Sequence, residues 1–157
     1  MLEIRYVTED ALRGDRGPRL LRYLLDNGAN EFSITVMALQ DTPAPFADAF
    51  EDELGLFEHE PALRRVVIPA GSTEVTRLIR LWEFNQTTCE RVLSFVDDGL
   101  FHWPAGPDGW LEDLMIFRDG ELVLGLLSSE REGVLRLTQE EHVAVAALGI
   151  TSRPNWS

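Results

Sequence analysis

Apolar and polar residues alternate from Leu2 to Val7, with Leu2, Ile4 and Tyr6 set against Glu3 and Arg5, and this predicts a short first strand. The period then changes. Leu20, Leu21, Leu24 and Leu25 follow Pro18 at helical spacing. Pro18 suits a first helical turn, where its missing N–H has no partner in any case, and Asn27-Gly28 supplies a C-terminal cap. Period two returns from Glu31 to Leu39, with Phe32, Ile34, Val36 and Ala38 on one face; Thr35, Met37 and Leu39 on the other predict burial of both sides near the strand's end. The run from Asp41 to Pro45 breaks this strand. Phe46, Ala49, Phe50, Leu54 and Phe57 then recur at helical intervals, with Asp48, Glu51, Asp52 and Glu53 between them. Arg65 to Ile68 reads as a short strand stopped by Pro69-Ala-Gly71.

Two helices are predicted next, over 73–84 and 88–98. Val75, Leu78, Ile79 and Trp82 hold the i, i+3, i+4, i+7 spacing, and Cys89, Val92, Leu93 and Val96 repeat it. Thr87 and Glu90 have capping-box spacing and Gly99 is a far-end cap. The β-branched and aromatic residues of Thr76 to Phe84 leave a strand as the alternative there. A turn cluster fills Pro104 to Gly109. Trp110–Phe117 and Leu122–Leu127, joined across Asp119-Gly120, form a hairpin, because Asp-Gly tolerates the positive φ of a tight turn. Gly133–Leu137 is a third strand of the same meander. Thr138, with Glu141 three residues on, opens a final helix that ends at Gly149. The expected fold is α+β: a single domain over 1–150, a mostly antiparallel sheet of five to six strands with helices packed mainly on one face, a C-terminal β-meander followed by a short helix, and a loosely held tail at 151–157.

The 157 residues, 45% of them hydrophobic, supply enough apolar surface for one core. No apolar run approaches the roughly 20 residues of a membrane span, and the first residues carry no signal-peptide pattern. A single cysteine, Cys89, forms no internal disulfide. These features favour the cytoplasm and no membrane.

Twenty-seven acids face 14 basic residues, every one of them arginine, for a net charge of −13. With no lysine, a Schiff-base lysine, a phosphate-loop lysine and a lysine general base are all excluded. So acidic a chain is a poor general partner for nucleic acid or an anionic membrane. The charge is also localised: residues 41–60 carry −7 with no arginine, and residues 61–80 carry +3.

Candidate chemistry is sparse. His59, His102 and His142 lie in separate segments. Glu58 and Glu60 flank His59, and Glu140 and Glu141 precede His142, but adjacent residues do not face one way, so no metal ligand set and no cofactor are expected. Cys89 shares the apolar phase of Val92, Leu93 and Val96, as a small buried hydrophobe does. Glu112 and Asp113 point to opposite faces of a strand, so one is inward and pairs with Arg118 or Arg136. The arginines at 13, 16, 19 and 22 are expected to pair with the acidic segment rather than bind a ligand. No nucleophile turn or phosphate loop is present, and no catalytic residue is assigned.

These features point to a non-catalytic, acidic protein-interaction module, in the manner of a bacterial immunity protein or inhibitor that binds a basic protein partner. Carboxylates would steer the encounter and aromatics would anchor it. The candidate partner-binding residues are Asp48, Glu51, Asp52, Glu53, Phe57, Glu58 and Glu60. The alternative is a small-ligand-binding protein or small enzyme with a pocket between sheet and helices, lined by Trp82, Trp103 and Trp110. A third reading is a homodimer joined through the aromatic loop Leu100-Phe-His-Trp103.

Overall fold

The structure is a computed structural model that describes residues 1–38, 45–59, 63–96, 98–106 and 109–156. The strands are β1 (Leu2–Thr8), β2 (Glu31–Ala38), β3 (Arg64–Ala70), β4 (Thr73–Ile79), β5 (Trp82–Glu83), β6 (His102–Gly106), β7 (Gly109–Arg118), β8 (Glu121–Leu127) and β9 (Glu132–Thr138). The helices are α1 (Arg16–Asp26), α2 (Pro45–Leu54), α3 (Gln86–Leu93) and α4 (Gln139–Ala147), and one turn of 3-10 helix, Gly55–Phe57, extends α2.

Six strands form an antiparallel sheet in the order β1-β9-β8-β7-β2-β5. β7 is longer than its neighbours: one edge takes β2, and the other is shared by β6 along its first half and β8 along its second. The alternation of side chains divides the core. Phe32, Ile34, Leu114, Ile116, Leu135 and Leu137 face Leu20, Leu21 and Leu24 of α1, Phe50 and Leu54 of α2, Cys89 and Val92 of α3, and Val145 of α4. All four helices thus cover one face. Tyr6, Met115, Phe117 and Val134 point the other way and meet Ile68, Ala70 and Ile79 of the β3–β4 ribbon. The molecule has three layers: helices, sheet and ribbon.

Local rules account for most elements. The Asp119-Gly120 turn has positive φ at both residues (51° and 82°), as the β7–β8 hairpin requires. Thr138 caps α4 in a reciprocal box with Glu141. The helix expected over 73–84 is instead β4 and β5. Val75 and Ile79 fit period two as well as period 3.6. An unbroken register from Arg64↔Ile79 to Ala70↔Thr73 pairs them with β3, and it turns Leu78 outward, 65% exposed. The next helix starts at Gln86 and ends at Leu93, capped by Asn85 with Thr88 rather than by Thr87 with Glu90. Part of the expected turn at 104–109 is strand β6, paired with β7.

The segment after α4 is tied down where a loose tail was expected. Arg153 exchanges backbone hydrogen bonds of 2.7 and 2.8 Å with Tyr6. The Arg5 guanidinium donates to Ser152 Oγ and to its carbonyl. Trp156 meets the Tyr6 ring edge-on at 5.4 Å. The aromatic loop offered as a dimer contact is core: Leu100, Phe101 and Trp103 are no more than 1% exposed.

Candidate functional site

The described part of the acidic segment is α2 with the turn that follows it. Phe50 of α2 packs against the rings of Trp82 and Phe95, Leu54 is buried in the same core, and Asp52 and Glu53 are exposed. Asp52 is exposed and unpaired, and Glu53 forms an ion pair with Arg91 of α3. Phe57, half-buried, closes one end of a hollow of about 370 Å³ between α2 and α3, with Leu54 on its wall and Glu53, Glu90 and Arg91 on its rim. A second hollow, of about 520 Å³, lies on the opposite flank of α3, against α1, bordered by Leu25, Asp26, Gln86 and again Glu90. α3 is therefore a ridge with a hollow on either side and Glu90 facing both. Arg22 reaches across from α1 and holds Glu90 with two hydrogen bonds of 3.2 Å.

The other expected partner-binding residues divide. Glu58 accepts from Arg80 Nε at 2.8 Å, which lowers its pKa, and Arg80 lies over the Trp82 ring, 5.3 Å from its centroid. Asp48 and Glu51 belong to α2, but their side chains lie outside the described residues, as does all of Glu60.

The arginines at 13, 16, 19 and 22 do not meet the acidic segment. Arg13 contacts Glu9, Asp10 and Asp98, Arg16 binds the carbonyls of Asp10 and Arg13, Arg19 pairs with Asp15, and Arg22 with Glu90. Each is satisfied by an acid or carbonyl nearer to it than α2. The inward carboxylate is Asp113, and its partner is Arg77 at 3.7 Å rather than Arg118 or Arg136, which hold Glu141 and Glu121. Asp113 sits where β7 passes from β6 to β8. Its φ is +54°, unusual for any residue but glycine, and Ser128 clamps it: the Ser128 N–H donates to Oδ1 at 2.8 Å, and the Asp113 N–H donates to Ser128 Oγ at 3.0 Å.

The histidine spacing hid one constellation. His59 Nδ1 lies 2.7 Å from Glu31 Oε2, and Arg64 lies 3.4 Å from the other Glu31 oxygen. The Glu31 side chain is 12% exposed and that of His59 38%, so a nearly buried carboxylate orients a half-open imidazole. The His59 N–H donates to Leu81 at 2.9 Å, anchoring this segment beside β5. His142 is buried, with Nε2 at 2.8 Å from the Glu3 carbonyl, and the His102 side chain lies outside the described residues. Among the described residues no group of three or more His, Cys, Asp or Glu is placed to hold a metal ion. Burial raises the Cys89 thiol to about 11. Of the three tryptophans, Trp82 borders a hollow of about 210 Å³ between β2 and β4, Trp103 is core, and Trp110 donates to Glu112. No helix among the described residues is long and apolar enough to cross a membrane.

Compared with known proteins, the chain matches no family model, no curated protein and no solved structure.

Proposed function

We propose that the chain is an acidic protein-docking module that receives a basic protein partner along the α3 ridge and its two hollows. The observation that carries this reading is the disposition of the arginines. Among the described residues, thirteen of the fourteen are taken up by carboxylate, hydroxyl or carbonyl oxygens of the chain itself. The charge left along this side is therefore carboxylate: Asp26 is unpaired at the hollow beside α1, Asp52 is exposed and unpaired on α2, and the paired Glu53 and Glu90 stand on the rims. Incoming guanidinium or ammonium groups have acids to meet on both flanks of α3, and Leu54 and Phe57 offer an apolar anchor.

The test is affinity capture from native lysate at low and high salt, with the double variant Asp26→Arg/Asp52→Arg beside the parent chain. The expected result is a basic protein retained at low salt, released at high salt and lost with the variant. A retained protein indifferent to both salt and variant, or no retained protein, overturns the reading. The His59–Glu31 dyad favours a second reading, a small-ligand or acid–base site, because a carboxylate on Nδ1 leaves Nε2 as the free, basic nitrogen. His59→Gln separates the two: it leaves partner capture intact under the docking reading.

A further inference from the structure

We propose that the outer face of the β3–β4 ribbon is a self-complementary surface on which a second copy of this chain packs about a twofold axis. The ribbon buries Ile68, Ala70 and Ile79 against the sheet, so the alternate residues face away from the molecule. Three cross-strand pairs make up that outer face: Arg65↔Leu78, Val67↔Thr76 and Pro69↔Glu74. Leu78 is 65% exposed and Val67 46%, two large apolar side chains that are diagonal neighbours on one face of the ribbon.

The charges at its ends are the second observation. The other arginines of this stretch turn inward, Arg64 to Glu31, Arg77 to Asp113 and Arg80 to Glu58. Among the described residues Arg65 is the one arginine with no carboxylate or hydrogen-bond partner, in a chain with 27 acids. Glu74, at the opposite end of the same face, is also exposed and unpaired. The two stand four residues apart along the ribbon, about 13 Å at about 3.3 Å per residue, too far to pair within one copy. A twofold axis lying between two such ribbons and running across their strands brings the Arg65/Leu78 end of one over the Pro69/Glu74 end of the other. Arg65 then reaches Glu74 of the second copy twice over, Val67 meets its own counterpart, and Leu78 packs beside Pro69. An isologous contact requires this self-matching.

The net charge of −13 does not forbid it. The ribbon lies on the side of the sheet opposite the acidic α2, and at physiological salt the Debye length is about 8 Å, so distant carboxylates are screened while the contacting pairs are not. The ribbon is about 23 Å long and two strands wide, so it buries a few hundred Å² per copy. That is below the roughly 800 Å² per partner of a standard stable interface, and the dimer is accordingly weak and concentration-dependent.

The experiment is sedimentation equilibrium at about physiological salt, from low micromolar to near-millimolar chain. The parent mass is expected to rise from 17.7 kDa toward twice that value. Arg65→Glu and Glu74→Arg, each placing like charges together twice, should shift the midpoint at least tenfold to higher concentration, and the double swap Arg65→Glu/Glu74→Arg should restore it. A parent that stays monomeric throughout overturns the proposal and leaves the face to another occupant. A dimer that both single variants preserve, or that the double swap fails to rescue, overturns it equally.

Discussion

Glu141 is the side chain whose loss should be felt furthest. Its carboxylate accepts from Arg118 Nη1 at 2.6 Å and from Nη2 at 3.1 Å, and its Oε1 accepts from the Thr138 N–H that opens α4. Arg118 also donates to the Asn27 carbonyl at the end of α1, so one pair joins α1, the β7–β8 turn and α4. The two side chains are only 22% and 16% exposed. The Arg118 guanidinium, with the cap behind it, holds the Glu141 carboxyl down at about 2 against an ordinary 4.5. At about 1.4 kcal/mol per pH unit that lowering corresponds to about 3 kcal/mol of native-state stability. Residual solvent screening reduces it to about 2 kcal/mol for Glu141→Gln, which keeps the cap acceptor and removes the charge. Because the folded value is depressed, the contribution is complete above pH 4.5 and disappears as pH falls through that value toward 2. Urea unfolding followed by tryptophan fluorescence at pH 7 and at pH 3 measures it, with Trp82 and Trp103 as buried reporters. The parent should exceed the variant by about 2 kcal/mol at pH 7 and by less than half of that at pH 3. A difference below about 0.5 kcal/mol at pH 7, the size of an ordinary exposed pair, or one equally large at pH 3, refutes the argument.

Asp113→Ala should cost about 2–4 kcal/mol in the same assay, because it strands the part-buried Ser128 N–H and leaves alanine at a φ of +54°. Asp113→Asn tolerates that φ, keeps an acceptor for Ser128 and should cost about 1 kcal/mol; equal losses in the two variants would refute the backbone argument. Cys89, 1% exposed with its thiol pushed up to about 11, should resist a disulfide reagent at pH 8 in the native protein and react at once in urea. Stoichiometric labelling of the folded chain would contradict its burial.

The chain's own pattern was most informative where the deciding interactions are short-range. The Asp119-Gly120 turn, the Thr138–Glu141 cap, the alternation of β1 and the leucines of α1 are each set by residues within four or five positions of one another, and a local rule reads them directly. Asn85 with Thr88 was equally legible, since Asn three residues before Thr at a helix start is a capping signal. The acidic character of 41–60 and the burial of Cys89 were also visible in the pattern alone.

Other features depended on partners distant in the chain. Val75 and Ile79 satisfy both helical and strand periods, and only pairing with β3 across the Gly71 turn selects the strand. The same register turns Arg65, Val67, Glu74 and Leu78 onto one exposed face. His59 looked like a solvated residue between two acids until the sheet brought Glu31, 28 positions away, to its Nδ1. The arginines carry the same lesson, because a guanidinium pairs with whichever carboxylate the fold delivers, as Arg22 does with Glu90 and Arg77 with Asp113. Periodicity and composition were enough for the class of fold, for most of the elements and for where the net charge is concentrated. The tertiary structure alone decided which charges cancel, which imidazole is oriented and which ribbon face stays uncovered, because those depend on contacts between segments whose separation along the chain holds no information about their distance in space.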